Sequence, residues 1–111
     1  MIHTVRKIGD STSVISRITS NSAAIRPVKL LDIEAQNMTG NVLYLMYFNA
    51  VSAVPNQGTV PDESFPVQAG LGGTLGKERD IDGGIAVWST TQGVLTAAVA
   101  NSGSIIFLLK D

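Results

Sequence analysis

The sequence predicts an all-β domain, a sandwich or small barrel, and three observations carry the prediction. No eleven-residue stretch keeps an apolar period of 3.6 residues, so helices are not expected. Turn-forming clusters such as "TGN", "DIDGG", "TTQG" and "NSG" recur at short intervals. Between them lie about eight short runs of alternating or continuous apolar residues, the spacing of a sandwich.

Taken in order, the first expected strand is "SVISRIT" (13–19), with Val14, Ser16 and Ile18 against Ile15 and Arg17. Its facing is ambiguous. "IRPVKLLDIEAQN" (25–37) alternates well, placing Val28, Leu30, Asp32 and Glu34 on one face and Leu31, Ile33 and Ala35 on the other. Pro27 belongs at that strand's start or on a sheet edge, because proline lacks the N–H that a central ladder needs. The run at 41–50 sets Val42, Tyr44, Met46 and Phe48 against Leu43, Leu45 and Tyr47, so both of its faces are apolar.

"SFPVQAG" (64–70) and "TLGKERD" (74–80) flank a glycine turn. "GGIAVWSTT" (83–91), "GVLTAAVA" (93–100) and "SIIFLLKD" (104–111) follow. The last is again apolar on both sides, with Ile105, Phe107 and Leu109 opposing Ile106 and Leu108. A sheet packed on one partner buries one face, so the second face of these two strands needs its own cover. A neighbouring subunit or the N-terminal segment is expected to supply it. The plainer alternative is that both strands lie in one thick core.

The totals bound the rest. A chain of 111 residues is expected to be one domain, able to bury roughly 65% of its unfolded surface without staples. It has no cysteine, which excludes disulfides and thiolate metal sites. With 44% hydrophobic residues it is too apolar for a disordered chain, yet no run nears a membrane helix. The opening "MIHTVRKIGDSTSVISRITS" has no apolar block fit for a signal peptide, so the expectation is a soluble, unprocessed protein. Residues 1–30 carry five basic side chains against one acidic, a net +4, while the remainder carries three against eight, a net −5. Such asymmetry points to a segment that meets an acidic partner, or to scattered surface charge.

Candidate chemistry is sparse. "GLGGTLG" (70–76) is glycine-rich, but a phosphate cradle needs a following helix and "KERDIDGG" is no helix start. A turn is expected. Glu78, Asp80 and Asp82 alternate on one face of an extended segment, yet the spacing and closing glutamate of a calcium loop are missing. His3 is the single histidine, so the usual triad and zinc chemistries lack their parts. Asp62 and Glu63 lie beside Pro61 in an expected loop and form no acid–base pair. No catalytic residue, metal or cofactor is expected. Asn37 in "NMT" fits the glycosylation pattern but is read as idle. Trp88 is read as core rather than as a stacking platform. Basic residues are not interleaved with aromatics, so neither nucleic acid nor a membrane is an expected partner.

From Val28 onward the chain resembles a widespread group of small tailed-phage virion proteins. The resemblance rests on Tyr44, Leu45 and Phe48, then Pro55, Gly58, Thr59 and Pro61. It continues through Pro66 and Gly70 to Gly84, Ile85, Thr90 and Thr91. It covers residues 28–111 and leaves out the first 27 residues and "GKERD". The resemblance implies a single jelly-roll-like antiparallel sandwich (23–111); the Ser/Thr-rich, basic residues 1–22, which it does not cover, are expected to form an N-terminal arm or added strand. It further implies a non-enzymatic decoration (cement) protein on the phage particle surface, assembled in the host cytoplasm. The major capsid protein is then its partner, and a homo-oligomer, a trimer in particular, is expected. Candidate oligomer or capsid contacts are Arg6, Lys7, Arg17, Tyr44, Met46, Phe48, Ile106 and Leu108. The alternative is a carbohydrate- or receptor-binding module of a head or tail fibre, with Trp88, Tyr44 and Tyr47 as its aromatic platforms.

Overall fold

The structure, a computed structural model, describes residues 2–8, 12–15, 28–51, 53–96, 98–101 and 103–110. Nine strands and no helix occur among the described residues: β1 (Ile2–Ile8), β2 (Thr12–Ile15), β3 (Val28–Gln36), β4 (Leu43–Asn49), β5 (Glu63–Val67), β6 (Gly72–Thr74), β7 (Arg79–Ile81), β8 (Gly84–Ser89) and β9 (Ser104–Lys110). They form two antiparallel sheets. Sheet A runs β1-β9-β3-β6, with β7 also paired to β3, and sheet B runs β2-β8-β4-β5. Consecutive strands cross between the layers at β1–β2, β2–β3, β3–β4, β5–β6, β7–β8 and β8–β9, so the sheets share one core.

That core is built mainly from the inner faces of β3, β4, β8 and β9. Val28, Leu30, Ile33 and Ala35 of β3 and Ile105, Phe107 and Leu109 of β9 meet Leu43, Leu45 and Tyr47 of β4 and Ala86 and Trp88 of β8. Phe107 and Tyr47 join the layers, with ring centroids 6.4 Å apart and planes at 59°. Each large side chain so buried stabilises by about 1.5–3 kcal/mol.

The facing expected for β3 needs one correction. Val28 and Leu30 share the core with Ile33 and Ala35, which strict alternation would send to the opposite face. The ladder with β9 shifts register between Leu30 and Asp32, and this bulge absorbs one residue and resets the phase. Two further elements differ from expectation. Residues 74–80 are not one strand: β6 ends at Thr74, β7 begins at Arg79, and 75–78 connect them. The described residues of 93–100 form no strand beyond an isolated Ser89–Ala98 bridge.

Residues 2–8 and 12–15, expected as an arm or added strand, pair within the chain as the edge of each sheet: β1 on β9 and β2 on β8. They satisfy ladder groups that β9 and β8 would otherwise leave bare. Pro27 lies outside the described residues. Pro66 sits in edge strand β5, where a missing N–H is tolerated.

One glycine fixes the joint before β9. A Cβ at Gly103 would lie 1.9 Å from the Gln36 carbonyl oxygen, so only glycine allows this approach. Asn101 completes the joint. Its Oδ1 accepts hydrogen bonds from the backbone N–H of Met38 and Gly103, and its Nδ2 donates to the Gln36 carbonyl.

Candidate interaction surfaces

The outer face of sheet B carries Met46 and Phe48 of β4 beside Ile85 and Val87 of β8, and all four are buried. Their cover comes from the chain itself. The β4–β5 loop supplies Val51 and the loop after β8 supplies Leu95, which is only 1% exposed. The two loops approach from opposite ends and clasp. Gly58 N–H donates to the Leu95 carbonyl at 2.7 Å, and Leu95 N–H donates to the Thr59 carbonyl at 3.0 Å. Thr59 is held in turn by its hydroxyl on the Asn56 carbonyl at 2.7 Å. The second face of β4, expected to need another subunit or the N-terminal segment, is therefore closed by the stretch 93–96 that the sequence read as a strand. An apolar side chain on a loop hides a sheet face as well as one on a strand does.

A polar corner stands at the β4–β5 end. The Tyr47 hydroxyl donates to the Gly83 carbonyl at 2.7 Å and lies 3.0 Å from Asn49 Oδ1. Asn49 Oδ1 also accepts from Asp82 N–H, and Asp62 Oδ2 accepts from Asn49 N–H. Burial pushes the Tyr47 phenol well above its usual range. The Arg79 charge opposes that shift, and Asp62 and Asp82 add to it. Beside it, the side chain of Glu63 is 8% exposed and meets Lys77 Nζ at 2.7 Å and Arg79 Nη1 at 4.0 Å through Oε1. Oε2 has no hydrogen-bond partner. This arrangement is an ion pair that ties β5 to the β6–β7 connection.

At the opposite end, Asn37 is fully buried. Its Nδ2 donates to the carbonyls of Asn41 and Val67, and its Oδ1 accepts from Thr39 N–H and Oγ1–H. The "NMT" triplet is thus the turn between β3 and β4, with the amide nitrogen already engaged. The neighbouring "GLGGTLG" contains β6 and its flanking turns. Glu78 pairs with Lys29 at 3.8 Å, and Asp80 stands opposite Lys29 in the β3–β7 ladder. No group of three or more potential metal ligands occurs among the described residues.

The outer face of sheet A has no cover among the described residues. Ile106 and Leu108 are half-buried there. Ile106 stands between Arg6 of β1 and Glu34 of β3, and Leu108 between Thr4 and Asp32. Arg6 and Glu34 are exposed, and neither has an ion pair among the described residues. Glu34, Gln36, Gly72, Gly73, Thr74 and Ile106 line an open cleft of about 460 Å³ on this face.

Of the expected contact residues, Arg6, Ile106 and Leu108 thus share one surface. Lys7 belongs to the same strand as Arg6, opposite Ile105, and Arg17 lies outside the described residues. Tyr44 is half-buried on the outer face of sheet B. Met46 and Phe48 are interior and offer nothing to a partner. Trp88 is 0% and Tyr47 1% exposed, so neither is a stacking platform. Glu34 was missed as a surface partner because the bulge reverses the face that alternation assigns to it. Its ladder position opposite Ile106 is visible only in three dimensions.

Compared with protein-family models, curated proteins and solved structures, the chain has no match.

Proposed function

We propose that this chain is a jelly-roll structural protein of a virion, without enzymatic activity, that decorates a phage head and binds its major capsid protein. One observation carries the reading. The pairings β1·β9, β2·β8, β3·β6 and β4·β5 are those of one long hairpin, and β9·β3 and β8·β4 are the contacts made when such a hairpin is rolled up. Rolled antiparallel folds of this kind recur in viral capsid proteins and lectins. The residues that carry the resemblance to phage virion proteins support it through architecture. Gly58 and Thr59 lock the clasp over sheet B, and Gly84 and Ile85 open β8 beneath it. A fold of this kind hosts many functions, so the reading rests on the resemblance together with the topology.

The lectin-like alternative keeps only Tyr44 of its three aromatic platforms. The test is direct. Labelled protein is mixed with particles of the source phage stripped of their accessory proteins, and the mixture is sedimented. Saturable co-sedimentation with heads supports the proposal. Absence of the chain from purified particles, together with no co-sedimentation, overturns it.

A further inference from the structure

We infer that a second copy of this chain docks face to face on the outer surface of sheet A, about a twofold axis running along β9. The inference stands on the charge layout of that face and is independent of the virion reading. Three ladder positions set the pattern: Arg6 on β1, Ile106 on β9 and Glu34 on β3 form one row across the sheet. Arg6 and Glu34 are therefore about 10 Å apart, two strand spacings, with an apolar side chain between them. The next row in the same direction is Thr4, Leu108 and Asp32. An apolar column on β9 thus has a free cation on one flank and a free anion on the other.

Such a face is complementary to itself in one orientation. A twofold along β9 sets Ile106 and Leu108 against their counterparts and carries Arg6 of each copy over Glu34 of the other. A twofold across the strands instead sets arginine near arginine and glutamate near glutamate. The first geometry is also the aligned packing that twisted sheets adopt. The cleft of about 460 Å³ beside Glu34, with Gly72 and Gly73 in its lining, leaves room for a long arginine side chain. A guanidinium there can address the carboxylate through two N–H groups. Lys110 lies on the axis at one rim, where a lysine keeps its ammonium in water. Sheet B offers no equivalent face, since its own loops cover it.

The face is small. With the short β6 and β7 sharing one edge of β3, the sheet spans at most roughly 20 by 23 Å, about 450 Å² on each copy and about 900 Å² in total, in the range of weak, transient interfaces. Association is therefore expected in the micromolar range and to weaken with salt. Sedimentation velocity from about 10 to 500 µM reads it. The wild-type chain is expected to form dimers. Arg6→Glu or Glu34→Arg alone should weaken the dimer at least about tenfold, because each reversal turns two attractions into repulsions. The double variant R6E/E34R should restore association. Both positions are exposed, and the rescue separates an interface effect from a folding defect. A monomer at every concentration, a trimer, a dimer indifferent to the single reversals, or a failed rescue each overturns the inference.

Discussion

Replacing Leu95 with alanine tests whether the loops over sheet B are part of the fold. Leu95 is 1% exposed and shares a cluster with Met46, Phe48, Ile85 and Val87, yet it belongs to no strand. A buried Leu→Ala change costs about 2–5 kcal/mol, less where the surroundings can settle into the space. A loop can settle further than a strand, so the lower part of that range, about 2.5 kcal/mol, is expected. Unfolding entropy of about 2.1 cal/mol/K per residue gives roughly 0.23 kcal/mol/K for a chain this long. The corresponding fall in Tm is about 11 °C. Thermal and urea unfolding of L95A measure it, with V94A as the comparison. Val94 is 37% exposed beside it and should shift stability by less than about 1 kcal/mol. Equal, small effects at both positions would mean that Leu95 does not seal the sheet, and the chain-internal cover of β4 would have to be abandoned.

Three other predictions concern a tight joint, a buried phenol and the two N-terminal edge strands. Gly103→Ala forces a methyl group into the Gln36 carbonyl and should cost at least about 3 kcal/mol or prevent folding. Gly40→Ala, where a Cβ meets nothing within 4 Å, should be nearly silent in the same denaturation assay. Tyr47 keeps its proton more tightly folded than unfolded, so its contribution is fully present below the unfolded value near pH 10 and is lost as pH climbs beyond it. Urea midpoints at pH 8 and pH 11 should therefore diverge in the wild type and diverge less in Y47F. That variant should also lose about 1 kcal/mol at pH 8 with its hydrogen bond to Gly83. Deleting residues 1–15 strips both β1 and β2, which bares the edges of β9 and β8. Light scattering should show aggregation, whereas a soluble, cooperatively folding truncation would mean that these strands are dispensable.

Much of this fold was legible in the sequence, because turns punctuate it and most strands alternate or run apolar. β4, β5, β8 and β9 fall where "VLYLMYFN", "SFPV", "GIAVWS" and "SIIFLLK" place them. Whether β1 is an arm or a strand stayed open in the sequence, because His3, Thr4, Arg6 and Lys7 give an edge strand little apolar signal. The phase of β3 escaped because a bulge leaves no mark in a period-two reading. "GVLTAAVA" misled for the opposite reason. Leu95 is real core material and Val99 packs partly against the core, but Leu95 reaches its place from a loop that pairs with Gly58 and Thr59, a contact fixed only by the assembled sheets. Ile106 and Leu108 were legible as apolar. Their flanking Arg6 and Glu34 became neighbours only through the ladders of β1 and β3 on β9.

The position of β9 has a consequence for how the protein comes into being. It lies between β1 and β3, and the partner of Ile2 is Lys110. Sheet A therefore cannot assemble on the ribosome until nearly the whole of this sequence has emerged, while β4 and β5 can pair much earlier. Contacts of such long sequence separation make folding slow, in the range of milliseconds to seconds. During that interval the future neighbours of β9 present open edges to other nascent chains. Synthesis rate and chaperone supply, more than final stability, are then expected to govern the yield of folded protein.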